Sequence, residues 1–539
     1  MIRSSLCLAA ALLSPIALYA QAPTPGEARA EHLLEAAKKA GNPELYALLR
    51  TMPKGADLHM HLSGAVYAET FIAEAARQGL CVASVKAGTP PVPVGQDALD
   101  LVPPQHDKPN DCAAGQVPAA DAFSNQSLYD DLVDSFSMRA FAPSQGIDGH
   151  DQFFATFDRY GAVSYGATKI ERGEWLDEVT SRAAAQNEQY LEVMETPSFS
   201  HAVALANKIG WPADSTESVA PAVLASLRGK LLADGLRDEV PIDVKEFTDA
   251  QSARQSIEHC DQTGPMRRDA CNVKVHWIYQ VLRGHPPQQV FAQTLLGFEV
   301  AAADPDVVGI NFVMPEDGYI SMRDYHLQMQ MLDYLHSVYP KVHITLHAGE
   351  LAPGLVPPAG LRFHIREAVE LGHAERIGHG VDVLYEDNPL QLLHEMAMKH
   401  IMVEVNLTSN DVILGITGSD HPLHAYIAAH VPFALSTDDE GVARIDLTHE
   451  YVKAADEQDL TYAELKESAR DSLEHSFLHG ESLYVSPDNY SRRKPACAAP
   501  ITAHSTASRS CQALLDANEK AAQQWELERR FAVYEESLR

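Results

Sequence analysis

His59 and His61 stand one residue apart in "GADLHMHLSGA", and three later stretches, "LHAGE", "IGHG" and "STDD", carry His347, Glu350, His379, Asp438 and Asp439. Imidazoles with a carboxylate and no cysteine are donors that suit zinc or a similar borderline ion, with one position left open for water. On a strand, residues i and i+2 project to the same face, so His59 and His61 can reach one ion. Taken singly, each stretch says little. A His-x-His is cheap in sequence space, and paired aspartates usually cap a helix or stay solvated.

The elements that must position these residues begin at Lys54. Short apolar segments run at 56–62, 190–196, 273–282, 307–314, 342–350, 376–380, 401–409 and 431–439, each followed by a turn. Helical patterns such as "HLQMQMLDYLHSVY" and "FHIREAVELG" lie between several of them. Strand then helix, eight times, predicts an α/β fold of the (β/α)8 TIM barrel type. In such a barrel the inward positions at the carboxyl ends of all strands converge, and the polar residues fall at those ends. The spacing therefore assigns His59, His61, His347 and Asp438 as ligands of one Zn2+ per chain. Such an ion lowers the pKa of a bound water toward about 7. Asp438 and Asp439 are adjacent and must face apart, one toward the metal and one into the pocket. His379 is placed to orient the water and handle its proton, and Glu350 to reach a substrate atom.

The chain has 539 residues, with Lys plus Arg 42 against Asp plus Glu 74 and a formal charge of −32. Nucleic acid and anionic lipid are repelled by such a surface. The first residues, "MIRSSLCLAAALLSPIALYAQAPTPG", hold one cation, an apolar core and then small and proline residues. They predict a signal peptide over 1–20, hence a secreted or periplasmic mature chain free of the membrane. A helical extension follows over 21–51, broken at "GNP". The barrel unit spans 52–539, with insertions near 81–129, Pro-rich and expected to be loop, and 198–272, and a final amphipathic helix. Cys7 falls in the leader, and the other six cysteines form sequence-local pairs: Cys81 with Cys112, Cys260 with Cys271, Cys497 with Cys511. Six cysteines allow 15 connectivities, of which the local one is the reading adopted.

The stretches "MPKGADLHMHLSG", "LHAGE", "RIGHG", "LTSN" followed by "HPL", and "LSTDD" resemble the adenosine deaminase family of metal-dependent aminohydrolases in order and spacing, from Met52 to about Asp439. "MPKG", the leader, the N-terminal helices and the Cys-containing insertion resemble its secreted, growth-factor-type branch, in which a homodimer is plausible. The resemblance implies a barrel binding one zinc through the four residues named above and removing the C6 amine of a purine nucleoside. Adenosine, with 2′-deoxyadenosine close behind, would yield inosine and ammonia. By the same resemblance Glu350 would protonate purine N1, His379 would position the attacking oxygen, Asp439 would bond N7, and Ser63 and Gly64 would lie under the sugar or base. One departure stands out. "NFVMPED" places Asn311 and Met314 where the family has Asp and a Gly whose amide meets purine N3. Met314 keeps the amide and adds a side chain that narrows the approach. Glu440 also stands where the family usually has Pro. The rival readings are an aminohydrolase for adenine or another amino-purine, and a secreted signalling protein with decayed catalysis.

Overall fold

The eight apolar segments pair in chain order. The computed structural model describes residues 23–85, 98–139, 141, 148–165, 167–215 and 217–538; the expected leader over 1–20 lies outside them. The strands are β1 (Gly55–His61), β2 (Glu188–Glu195), β3 (Lys274–Leu282), β4 (Val307–Val313), β5 (His343–Ala348), β6 (Arg376–His379), β7 (Met402–Val405) and β8 (Phe433–Leu435). Each runs parallel to the next. They are buried almost throughout, as the near-continuous apolar runs of a parallel sheet covered by helices require. The ring closes where the Asp438 N–H donates to the His59 carbonyl at 2.8 Å, in a parallel bridge between Met60 and Asp438. Asp57 reinforces that seam by accepting from the Thr437 amide and hydroxyl at 3.1 and 2.6 Å. This is the (β/α)8 barrel that the strand and helix alternation predicts.

The extension forms two helices, Pro25–Ala40 and Asn42–Leu49, and Gly41 between them adopts φ 120°, which L side chains rarely reach. Thr24 and Glu27 form a capping box at the first. Their apolar face, including Leu34, Leu45 and Leu49, packs on helices Leu447–Glu457, Tyr462–Glu474 and Glu519–Ser537 of the same chain.

Two expectations are corrected. The insertion near 81–129 is not simply loop: Cys81–Val85, Ala98–Val102 and Val117–Pro118 form a small antiparallel sheet, followed by helix Gln126–Ser135. Strands of two to five residues among prolines carry too little periodicity to stand out, and it is pairing across the fold that makes them strands. The C-terminal helix is two, Arg509–Ala517 and Glu519–Ser537, because Asn518 turns its side chain back onto the Leu514 carbonyl. The insertion over 198–272 is mostly helical, with Ser200–Ile209, Pro221–Ala233 and Val240–Ile257.

All three local cysteine pairs are disulfides, Cys81–Cys112, Cys260–Cys271 and Cys497–Cys511, with Cα separations of 5.6, 5.4 and 4.7 Å. Among the described residues no helix is long and apolar enough to cross a membrane.

Candidate active site

At the carboxyl end of the barrel, β1 contributes His59 and His61 on one face, the end of β5 His347, the end of β6 His379, and the turn after β8 Asp438. All are buried. His59 Nε2 lies 3.1 Å from His347 Nε2, which lies 3.2 Å from His61 Nε2. Asp438 Oδ1 stands 3.3 Å from His61 Nε2 and 3.7 Å from His59 Nε2. The four residues expected to share an ion therefore meet, although Asp438 is far from the first histidines in sequence.

The outer ring nitrogens explain what these contacts mean. His59 Nδ1 donates to Glu404 Oε2 at 2.7 Å, His61 Nδ1 to Gln280 Oε1 at 2.7 Å, and His347 Nδ1 to Asn311 Oδ1 at 2.7 Å. Gln280 is held in that orientation because its Nε2 donates to Thr196 Oγ1 at 3.0 Å. Each neutral ring thus spends its proton at Nδ1 and turns an Nε2 lone pair inward. Three lone pairs and a carboxylate converging this closely repel one another unless positive charge lies among them. Their spacing suits it, since bonds of about 2.0–2.1 Å in a tetrahedral shell place donors about 3.3–3.4 Å apart. The donor set fits a divalent ion of the zinc type.

His379 differs. Its Nδ1 accepts from Asn410 Nδ2 at 2.9 Å, so its proton sits on Nε2. Asn410 is oriented by His421, whose Nε2 donates to Asn410 Oδ1 at 3.1 Å while its Nδ1 accepts from the Leu423 amide at 3.2 Å. His379 Nε2 is buried without a hydrogen-bond partner, 3.7 Å from Glu350 Oε1 and 3.8 Å from Asp438 Oδ2. Burial, against the pull of Asp438, keeps its pKa down at about 3, so the ring is a neutral N–H donor.

The carboxyl groups divide by surroundings. Ser409 Oγ donates to Asp438 Oδ2 at 2.6 Å, and the neighbouring histidines outweigh burial to hold Asp438 ionised, below the usual range. Burial, with Asp438 and Glu316 nearby, pushes Glu350 far above the usual range, and burial beside Asp438 does the same to Asp439. Both carboxyl groups are thereby biased toward the neutral acid. Asp439 Oδ1 is buried with no partner, and it reaches its place only because residue 64 is glycine: a Cβ there would sit 1.5 Å from that oxygen. Ser63 lies half-buried in the same short helical turn, Leu62–Ala65.

Several residues that hold this site escaped the sequence reading. Glu404, lone in "IMVEVN", takes Thr345 Oγ1 at 2.9 Å and Arg376 Nε at 2.6 Å besides His59. Burial would raise its pKa, but Arg376 and His59 hold it at about 2. Arg376 pairs on its other side with Glu192 at 2.7 Å. A charged residue inside an apolar strand was the available signal. Asn410 and His421 lie within the quoted "LTSN" and "HPL", without an assigned role. Glu316 accepts from the Gly349 and Glu350 amides at 3.1 and 2.9 Å and so fixes the turn that carries Glu350.

Met314 adopts φ 90°, a region natural to glycine and strained for a bulky residue. Arg283 Nε donates to its carbonyl at 3.0 Å. Its thioether sulfur lies 3.3 Å from the Gly284 amide, and a Cβ on Gly284 would meet the Met314 methyl at 2.7 Å. The added side chain is turned onto that glycine.

The sequence profile of the adenosine deaminase family matches residues 140–483. The chain belongs to the adenosine deaminase family. A 142-residue stretch is 39% identical to the adenosine deaminase of Escherichia coli O1:K1 / APEC, covering 26% of this chain and 39% of that enzyme. The enzyme of E. coli O157:H7 (strain EC4115 / EHEC) matches at 37% over 140 residues, again 39% of its length. The aligned stretch thus spans well under half of these family members. Among solved structures, an amidohydrolase from Burkholderia ambifaria with bound Zn shares the fold with a TM-score of 0.51 at 16% identity, over 92% of this chain and 94% of that one. The adenine deaminase of Arthrobacter aurescens gives a TM-score of 0.47 at 16% identity, over 79% of this chain and 94% of that one.

Proposed function

We propose that this member of the adenosine deaminase family is a zinc-dependent hydrolase that converts adenosine, and 2′-deoxyadenosine, to inosine with release of ammonia. His59, His61, His347 and Asp438 would hold one zinc ion, which when bound supplies a Lewis acid that acidifies water. The observation that carries this reading is the convergence of three imidazole Nε2 atoms on Asp438, with the Glu350 carboxyl 3.7 Å from His379 Nε2 beside them.

The side chains supply the rest. Glu350, protonated, donates to purine N1 and draws electron density from C6. His379 presents an N–H, so it holds the attacking oxygen by donating to it. That differs from the proton-handling role expected of it from sequence. Asp439, also protonated, donates to N7, with Gly64 leaving room for it and Ser63 facing the sugar. Met314 offers its amide toward N3 while its side chain rests on Gly284. The E. coli relatives support adenosine as the substrate, and the three disulfides support a compartment outside the cytoplasm.

The test is ammonia release by the purified mature chain from adenosine, 2′-deoxyadenosine, adenine and an N6-modified adenosine. It is run before chelation, after it, and after zinc is restored. Adenosine should turn over fastest, with activity lost to the chelator and recovered with zinc. Turnover indifferent to chelation, or none on any amino-purine in the zinc-loaded chain, overturns the reading.

A further inference from the structure

A second cluster of metal-type donors lies at the opposite, amino-terminal end of the barrel. His276 sits near the start of β3, Asp306 immediately precedes β4, His479 follows helix Tyr462–Glu474, and Glu519 opens the last helix. His276, His479 and Glu519 each offer a ligand atom within 4.8 Å of the others.

The tautomer argument applies here too. Tyr190 gives its hydroxyl proton to Glu192 Oε1 at 2.8 Å, so it can only accept from His276 Nδ1 at 3.1 Å. His276 Nε2 therefore keeps its lone pair, and it faces Asp306 Oδ1 at 3.7 Å and Glu519 Oε2 at 3.8 Å. A lone pair set against two carboxylate oxygens is repulsive, and protonating the ring would relieve it. Burial of the ring and the neighbouring Lys274 oppose that charge. His479 donates from Nε2 to the Pro305 carbonyl at 2.8 Å, which leaves its Nδ1 a lone pair. Lys274 pairs with Glu519 Oε1 at 2.8 Å and leaves Oε2 facing His276. Two imidazoles and the Glu519 carboxylate thus each offer a ligand atom within 4.8 Å of the others, with Asp306 Oδ1 3.7 Å from the His276 nitrogen.

We propose that His276, His479 and Glu519, with Asp306 beside His276, form a second divalent-metal site that takes zinc or a similar late transition ion and ties the C-terminal helix to the base of the barrel. Mixed imidazole and carboxylate donors favour such ions over magnesium or calcium, which take oxygen alone. The site is remote from the barrel mouth, so it does not rest on the proposed deaminase chemistry.

Zinc counting on the full chain tests it. The chain is stripped with a chelator, dialysed against zinc chloride and freed of loosely bound metal. His479→Ala and Glu519→Gln should each carry one zinc per chain fewer than wild type, with deamination rates unchanged. Added zinc should raise the Tm of the wild type by more than that of either variant. His479 is exposed, so the alanine variant leaves the core intact. Equal zinc content and equal Tm response in wild type and both variants would overturn the site.

Discussion

Asn410 donates to His379 Nδ1 at 2.9 Å, and that contact gives His379 the opposite tautomer from the three imidazoles beside it. A donor on Nδ1 turns an N–H into the pocket; the acceptors on His59, His61 and His347 turn lone pairs there. One barrel end thus holds three rings with inward lone pairs and one hydrogen-bond-donating ring within a few ångströms.

Asn410→Asp replaces the donor with an acceptor and moves the His379 proton to Nδ1. Turnover should fall by about two or more orders of magnitude, the cost of a wrong tautomer, while zinc content stays at the wild-type level. Steady-state kinetics and metal analysis on one preparation check this. A variant as active as wild type would show that the orientation of His379 is immaterial.

Glu350→Gln keeps the shape of a donor and removes the transferable proton. A loss of about two or more orders of magnitude in kcat is expected, with zinc content and Tm preserved. Wild-type turnover in this variant would remove Glu350 from the chemistry.

Glu316 predicts a pH dependence of stability. Burial would raise its pKa, but His364, Arg283 and the Glu350 amide hold it at about 2, below its ordinary 4.5. The folded form therefore binds fewer protons there than the unfolded chain. Its contribution, about 3 kcal/mol, is present above about pH 4.5 and disappears as pH falls toward 2. Glu316→Gln should melt lower than wild type at neutral pH and lose less Tm on acidification from about pH 5 to pH 3. Parallel Tm profiles for the two proteins would contradict it.

The disulfides join residues 31, 11 and 14 positions apart, and closing loops of such lengths contributes about 2–4 kcal/mol each. Reduction should lower Tm, and thiol counting should gain six per chain. Six free thiols with an unchanged melting curve would count against a stabilising role.

Much of this was legible in the chain because it depends on local periodicity. The strand period of two puts His59 and His61 on one face, and eight alternations of strand and helix leave a barrel as the way to bury every sheet face. That barrel in turn brings His347, His379 and Asp438 to the same end. The local cysteine pairing was one of fifteen connectivities open to the chain, and the fold decides for it. The strands of the 81–129 insertion were not legible, because their pairing partners, and not their own pattern, make them strands.

What the amino-acid order could not decide is where each proton sits. The tautomers depend on whether Glu404, Gln280, Asn311 or Asn410 meets an Nδ1, and those partners come from β7, β3, β4 and helix Leu407–Leu414. Met314 is similar: its identity is read from the chain, but its φ of 90° and its resting place on Gly284 are set by Arg283 and the packing around it. A short-range pattern records which face a side chain takes. Its hydrogen-bond partner and charge state are settled by neighbours dozens to hundreds of residues away, in a low-dielectric interior that only folding creates.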